Sequence, residues 1–200
     1  MINRRPFMIG VVLALALPLN SGPAFAAGAD DFIRDAGART FQSLAENLTD
    51  EERAGRFREI LTETFDLPTI ARFTLGRYWR IASSEQRDEY VRLFEEFIVL
   101  AYSHRFKDLS GRTFTVRQSR KLNARDQLVL SEIEIEKGKP PIRVNWRVRR
   151  TGDAYRVVDV VVEGVSMSVT QRAEFAAVIR RSGGKLEGLL DALRRKTGQE

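Results

Sequence analysis

Gly138–Met167, reading GKPPIRVNWRVRRTGDAYRVVDVVVEGVSM, decides how this 200-residue chain folds. Ile142, Val144, Trp146 and Val148 alternate with Arg143, Asn145, Arg147 and Arg149. A period of two puts one apolar face on a core and one cationic face in water, so the segment reads as a half-buried strand. Thr151–Asp153 supplies a turn, and Val157–Val162, interrupted only by Asp159, reads as a strand covered on both sides. Glu163-Gly164-Val165-Ser166-Met167 reads as a hinge from strand into helix.

Upstream of this stretch the same period continues. Four strands are predicted, at Arg112–Arg120, Arg125–Glu136, Pro141–Arg150 and Ala154–Val162, joined by short turns into an antiparallel meander. Before Leu109 the period is helical. Phe32, Ile33, Ala36, Thr40, Phe41, Leu44 and Leu48 form one stripe. Thr49-Asp50-Glu51-Glu52 and Ser83-Ser84-Glu85-Gln86 are capping boxes, and the second opens the longest helix, which carries an aromatic-rich face from Tyr90 to Leu109 and stops at Gly111. Pro68 suits the first turn of a short helix between them. After the hinge the helical period returns, broken at Gly183-Gly184. The expected fold is α+β: a curved four-stranded sheet packed with helices from both ends of the chain. One domain spans 27–200, with a helical part at 29–110, the sheet at 112–162 and C-terminal helices at 165–197.

Residues 1–26 read as an export signal. Arg4 and Arg5 precede the apolar run Met8–Leu19, and Ala24-Phe25-Ala26 supplies a small-x-small cleavage site. The run is short of the roughly 20 apolar residues a spanning helix needs. Arg4-Arg5 also fits a twin-arginine signal, but export by the Sec route is expected. Removing the signal takes two of 33 basic residues and no acidic one, leaving a net charge of +4. A periplasmic location follows, which argues against nucleic acid as the partner of this basic surface.

Catalytic chemistry is sparse. The chain has no cysteine, and His104 is its single histidine. No G-x-S-x-G, phosphate-binding glycine loop or H-E-x-x-H occurs. Glu95-Glu96 and Asp30-Asp31 are adjacent on helices and diverge by about 100°, so neither pair can grip one substrate. Asp159 interrupts an apolar strand, either as an outward residue paired with an arginine or as a buried base. Ser166 reads as a helix N-cap.

Phe73-Thr74-Leu75-Gly76-Arg77-Tyr78-Trp79-Arg80, followed by Ser83–Arg87 and Phe94–Tyr102, resembles a signature of the MlaC family, also called the toluene-tolerance family. Gly138–Arg143 and Glu163–Met167 match two further signatures in the same order, and the likeness covers essentially the mature chain. The linker after Arg120 is shorter than in the family's pattern. The resemblance implies an NTF2-like sheet-and-helix half joined to a helical half, with acyl chains between them. It implies a periplasmic phospholipid carrier that passes lipid between an outer-membrane lipoprotein complex and an inner-membrane ABC transporter with an MCE-domain subunit. A hopanoid-associated branch shares the architecture, and NTF2-like folds also host isomerases and dehydratases, which here would centre on Asp159 with Tyr155 or His104. A carrier needs no metal or cofactor, and a monomer is expected. It must enclose its cargo, since two sixteen-carbon chains expose about 30 methylenes at ~0.8 kcal/mol each.

One wall of the expected pocket is Phe73, Leu75, Tyr78, Trp79, Phe94, Phe97, Ile98 and Tyr102. The other is Val144, Trp146, Val148, Val158, Val160 and Val162. Arg143, Arg147 and Arg149 share the polar face of one strand. They are either a docking surface for the membrane-bound partners or a solubilising row balanced by Glu132 and Glu134 opposite.

Overall fold

Strand pairing follows the alternation that the arginine-rich segment displays. β1 (Thr113–Lys121), β2 (Asp126–Glu134), β3 (Ile142–Thr151) and β4 (Ala154–Val162) form an antiparallel meander in sequence order. Val129 faces Trp146 and Ser131 faces Val144 across β2 and β3, while Val160 and Val162 face Trp146 and Val144 from β4. Those residues share the inner face. This computed structural model describes residues 28–44, 48–109 and 112–199, so the predicted export signal lies outside the described residues.

Two features correct the expected sheet. It has five strands, because the segment read as a hinge is a hairpin. Glu163 and Gly164 both take positive φ, 48° and 84°, and the chain turns back on itself there. β5 (Val165–Ser166) then pairs with Val162 and Val161, so the sheet runs to Ser166. The second correction is a bulge between Arg147 and Val148, which sets Val148 opposite Val157. One extra residue reverses the parity of the strand beyond it, so Val157 takes the inner position expected for Val158.

Among the described residues there are six α-helices: α1 (Ala29–Leu44), α2 (Asp50–Thr64), α3 (Leu67–Leu75), α4 (Ser84–Tyr102), α5 (Met167–Arg181) and α6 (Glu187–Thr197). Thr49 with Glu52 and Ser83 with Gln86 close the two capping boxes read from the sequence. Asp66 caps α3 and places Pro68 in its first turn. α4 is shorter than expected, since the chain tightens after Tyr102 into a 3₁₀ segment, Ser103–Leu109. Arg53, almost fully buried, closes the far end of α1 by donating to the carbonyls of Leu44 and Leu48, both at 2.9 Å. Against the expectation that adjacent helical carboxylates diverge, Glu95 and Glu96 both pair with Arg58, at 2.9 and 2.7 Å, because its forked guanidinium spans them, and so fasten α2 to α4. None of these helices is long and apolar enough to cross a membrane.

The apolar interior is divided. A helical core gathers α2 to α6 around Tyr90, Phe94, Phe175 and Ile179. A smaller core lies on the sheet, where Ala29 and Ile33 of α1 meet Val129, Val148 and Val157. The backbone joins the two directly, since Asp66 N–H donates to the Val157 carbonyl at 2.9 Å and Phe65 bridges to β4.

Candidate functional site

Between the two cores lies a cavity of about 580 Å³. Phe57, Leu61, Leu67, Phe94 and Ile98 line it from the helical side, and Phe114, Val144, Trp146, Val160 and Val162 from the sheet. α1 crosses the remaining side with Ile33, Ala36, Thr40 and Phe41. Gly37 explains how α1 comes so close: a Cβ there would stand 2.3 Å from the Phe114 ring, which stacks on Phe41 at 5.8 Å. Trp146 is held in place because its indole N–H donates to Ser131 Oγ at 2.9 Å, and that hydroxyl donates onward to the Val144 carbonyl.

Few polar groups reach this space, and most are already engaged. Thr74 shares a hydrogen bond with the buried Tyr90 hydroxyl at 2.8 Å, and Thr40 donates to the Ala36 carbonyl at 2.7 Å. Asp159 accepts from Ser166 Oγ at 2.6 Å and from Ser168 N–H at 3.1 Å, while Ser166 caps α5. Its carboxylate therefore fixes the junction of β5 and α5. Thr64 differs, because its hydroxyl is buried at the cavity without any hydrogen-bond partner. Arg105 is the exposed member of the lining, with its guanidinium 5.2 Å from the centre of the Tyr102 ring. It marks the mouth.

Of the residues expected in the pocket, Phe94, Ile98, Tyr102, Val144, Trp146, Val160 and Val162 line this cavity. The other seven lie elsewhere. α3 has three faces: Leu67, Ile70 and Thr74 look into the cavity, Ala71 and Leu75 join the helical core, and Phe73 turns outward beneath Arg172. Tyr78 is buried in the helical core, and Trp79 packs against it with Arg87 over its ring. Phe97 packs on Phe175, Val148 belongs to the sheet core, and the bulge displaces Val158. Missing from the expected set were the contributions of α1, α2, β1, β2 and α5, and the inward face of α3. The stripe on α1 was read, but Gly37 inside it, a signal of close approach, went unread.

The arginine row is neutralised from within the sheet. Arg147 and Arg149 grip Asp126 at 2.6 and 2.8 Å, and that carboxylate is 2 % exposed. The bond from Arg149, then that from Arg147, holds its carboxyl well below the usual carboxylate range. Arg143 pairs with Glu163 at 3.1 Å, whereas Glu132, directly opposite it, turns to Arg117 at 2.8 Å. Glu132 and Glu134 are thus not the balancing groups. The groups named for an enzyme do not converge either: Asp159 borders the cavity, Tyr155 packs against Phe32 in the sheet core, and His104 is exposed outside the lining.

Two comparisons with known proteins agree with this architecture. The phospholipid-binding protein from Ralstonia solanacearum, solved in complex with a phospholipid, superposes with a TM-score of 0.77. The alignment covers 86 % of this chain and 98 % of that one at 20 % sequence identity, a likeness of fold. The family model described as MlaC protein matches residues 34–195. That span holds the helical core, the sheet and the cavity between them, and the chain belongs to the MlaC family.

Proposed function

We propose that this protein is a periplasmic lipid carrier that encloses the acyl chains of a phospholipid and passes the lipid between outer-membrane and inner-membrane complexes. The observation that carries the reading is the cavity. Its volume lies within the roughly 300–1,000 Å³ of small-molecule sites, its lining is overwhelmingly apolar, and it opens beside an arginine. Apolar surface held against water costs roughly 25 cal/mol per Å², so hydrocarbon is the occupant that such a lining favours most. Arg105 at the mouth suits a charged head group, and the unpartnered Thr64 hydroxyl suits an oxygen near the glycerol. The solved relative, a phospholipid-binding protein, supports the same reading. The membrane-bound partners, an ABC transporter with an MCE-domain subunit and an outer-membrane lipoprotein complex, belong to the proposal; docking through Arg143, Arg147 and Arg149 loses its motive, since Glu163 and Asp126 already pair with them.

Mass spectrometry of protein purified without detergent tests the cargo. A stoichiometric phospholipid is expected, and a hopanoid in its place would move the protein to the other lipid class. Lipid-free protein that also takes up none from vesicles would overturn the reading.

A further inference from the structure

The motif Phe73–Arg80 and the first turns of α5 form a face that the cavity leaves unused. No acidic residue occurs between Leu67 and Ser84, or between Gly164 and Ala173. Yet these stretches carry Arg72, Arg77, Arg80 and Arg172, all exposed. The two stretches are neighbours. Arg172 lies 5.1 Å from the centre of the Phe73 ring, and a Cβ at Gly76 would stand 2.9 Å from its Nε. Gly76, at φ 61°, both permits the turn out of α3 and leaves room for that guanidinium.

Apolar side chains gather on the same two segments. Among the described residues, seven large hydrophobic side chains are exposed, and four of them are Phe73, Ile81, Val165 and Val169. Ile81 is 74 % exposed and Val169 55 %. Scattered exposed hydrophobics need no explanation, but a cluster among unopposed arginines does. Arg77 and Arg172 rest on aromatic rings rather than on carboxylates. Their charge is therefore left for something outside the chain.

We propose that this face docks on an anionic lipid bilayer. Aromatic and aliphatic side chains enter the interfacial layer of a membrane while arginines stay at the level of the lipid phosphates. Segments without acidic residues match a negative leaflet, and each arginine near such a surface adds about fivefold to binding. The inner faces of the same helices, through Ile70 and Thr74 on α3 and Met167 and Gln171 on α5, line the cavity. Docking thus sets the cavity wall against the membrane from which a carrier would load. The surface is separate from the cavity, and retained lipid reports on the cavity independently.

Co-sedimentation with protein-free vesicles tests this. The wild-type chain is expected to bind vesicles containing phosphatidylglycerol, to bind pure phosphatidylcholine at least tenfold less, and to be released in part by salt. Arg72→Ser/Arg80→Ser/Arg172→Ser should lower binding to the anionic vesicles roughly tenfold or more with copurified lipid unchanged. The equal-charge control Arg120→Ser/Lys121→Ser/Arg125→Ser, at the end of β1 and the turn into β2, should bind as wild type. Phe73→Ser/Val169→Ser should weaken the salt-resistant part of binding. Equal wild-type binding to both vesicle types, or equal losses in the triple variant and its control, would overturn the proposal. So would wild-type protein that ignores vesicles and instead binds an acidic protein.

Discussion

Around Phe175 the rings of Tyr90, Phe94 and Phe97 stand 5.9 to 6.2 Å away, and of these only Phe94 also reaches the cavity. Above the sheet, Phe114 and Phe65 stand 6.3 and 6.4 Å from Trp146, yet all three border a cavity. Ring spacing is nearly the same in the two regions, so it is not what separates them. The difference is what lies beyond the rings. In the helical half α5 and α6 close over the aromatics, and eighteen buried residues form that core among those described. On the sheet only five do. Stability therefore resides mainly in the helices, while the inner face of the sheet is free to accept a guest.

The strongest way to break that comparison is Phe175→Ala. It removes the ring shared by three aromatic neighbours in a closed core, and a loss of about 3–5 kcal/mol in urea unfolding is expected. A loss below about 1 kcal/mol would mean that the helical half is packed no better than the sheet.

A matched pair sharpens it. Ala71 is fully buried in the helical core away from the cavity, whereas Ala36 is buried but faces the cavity. Ala71→Leu should cost about 1–3 kcal/mol, because a close-packed core has nowhere to put three more carbons. Ala36→Leu should cost less than about 1 kcal/mol, since its side chain enters open space. The same variant should retain less copurified lipid. Equal costs at the two positions would remove the distinction.

The smallest expected effect concerns how the sheet half holds together from outside. Asp126→Asn keeps the shape of the clamp under Arg147 and Arg149 but removes its charge, and about 1–2 kcal/mol should be lost at neutral pH. The folded-state carboxyl is held below its ordinary value, first by Arg149 and then by Arg147. Its stabilisation is thus complete above the unfolded-state value, about pH 4, and fades as pH falls through the lower folded value. The stability gap between wild type and Asp126→Asn should accordingly narrow between about pH 5 and pH 2 in denaturant titrations. A gap that stays constant across that range would show that the charge of Asp126 contributes nothing to it.

Which parts of this molecule could be read in advance follows from how far each signal reaches along the chain. Capping boxes at Thr49 and Ser83, the alternation from Ile142 to Val148 and the break at Gly183-Gly184 involve residues a few positions apart, and each appears where it was read. The inner face of β3 was read correctly for the same reason. The bulge after Arg147 depends on how β3 meets β4, so the facing of Val157 and Val158 was beyond local reasoning. Glu163-Gly164 looked like a hinge because only the pairing of Val165 with Val162 turns it into a hairpin.

The sequence set the periods of its elements, their order, their caps and the apolar surplus that had to go somewhere, because those are properties of neighbouring residues. Three-dimensional packing chose among surfaces that look alike in one dimension. It sent Ile70 and Thr74 inward and Phe73 outward from a single helix, buried Asp126 beneath two arginines, and brought α1 across the cavity through Gly37. Each of these depends on which distant element a face meets, and the pattern of a helix or strand names the face without naming its partner.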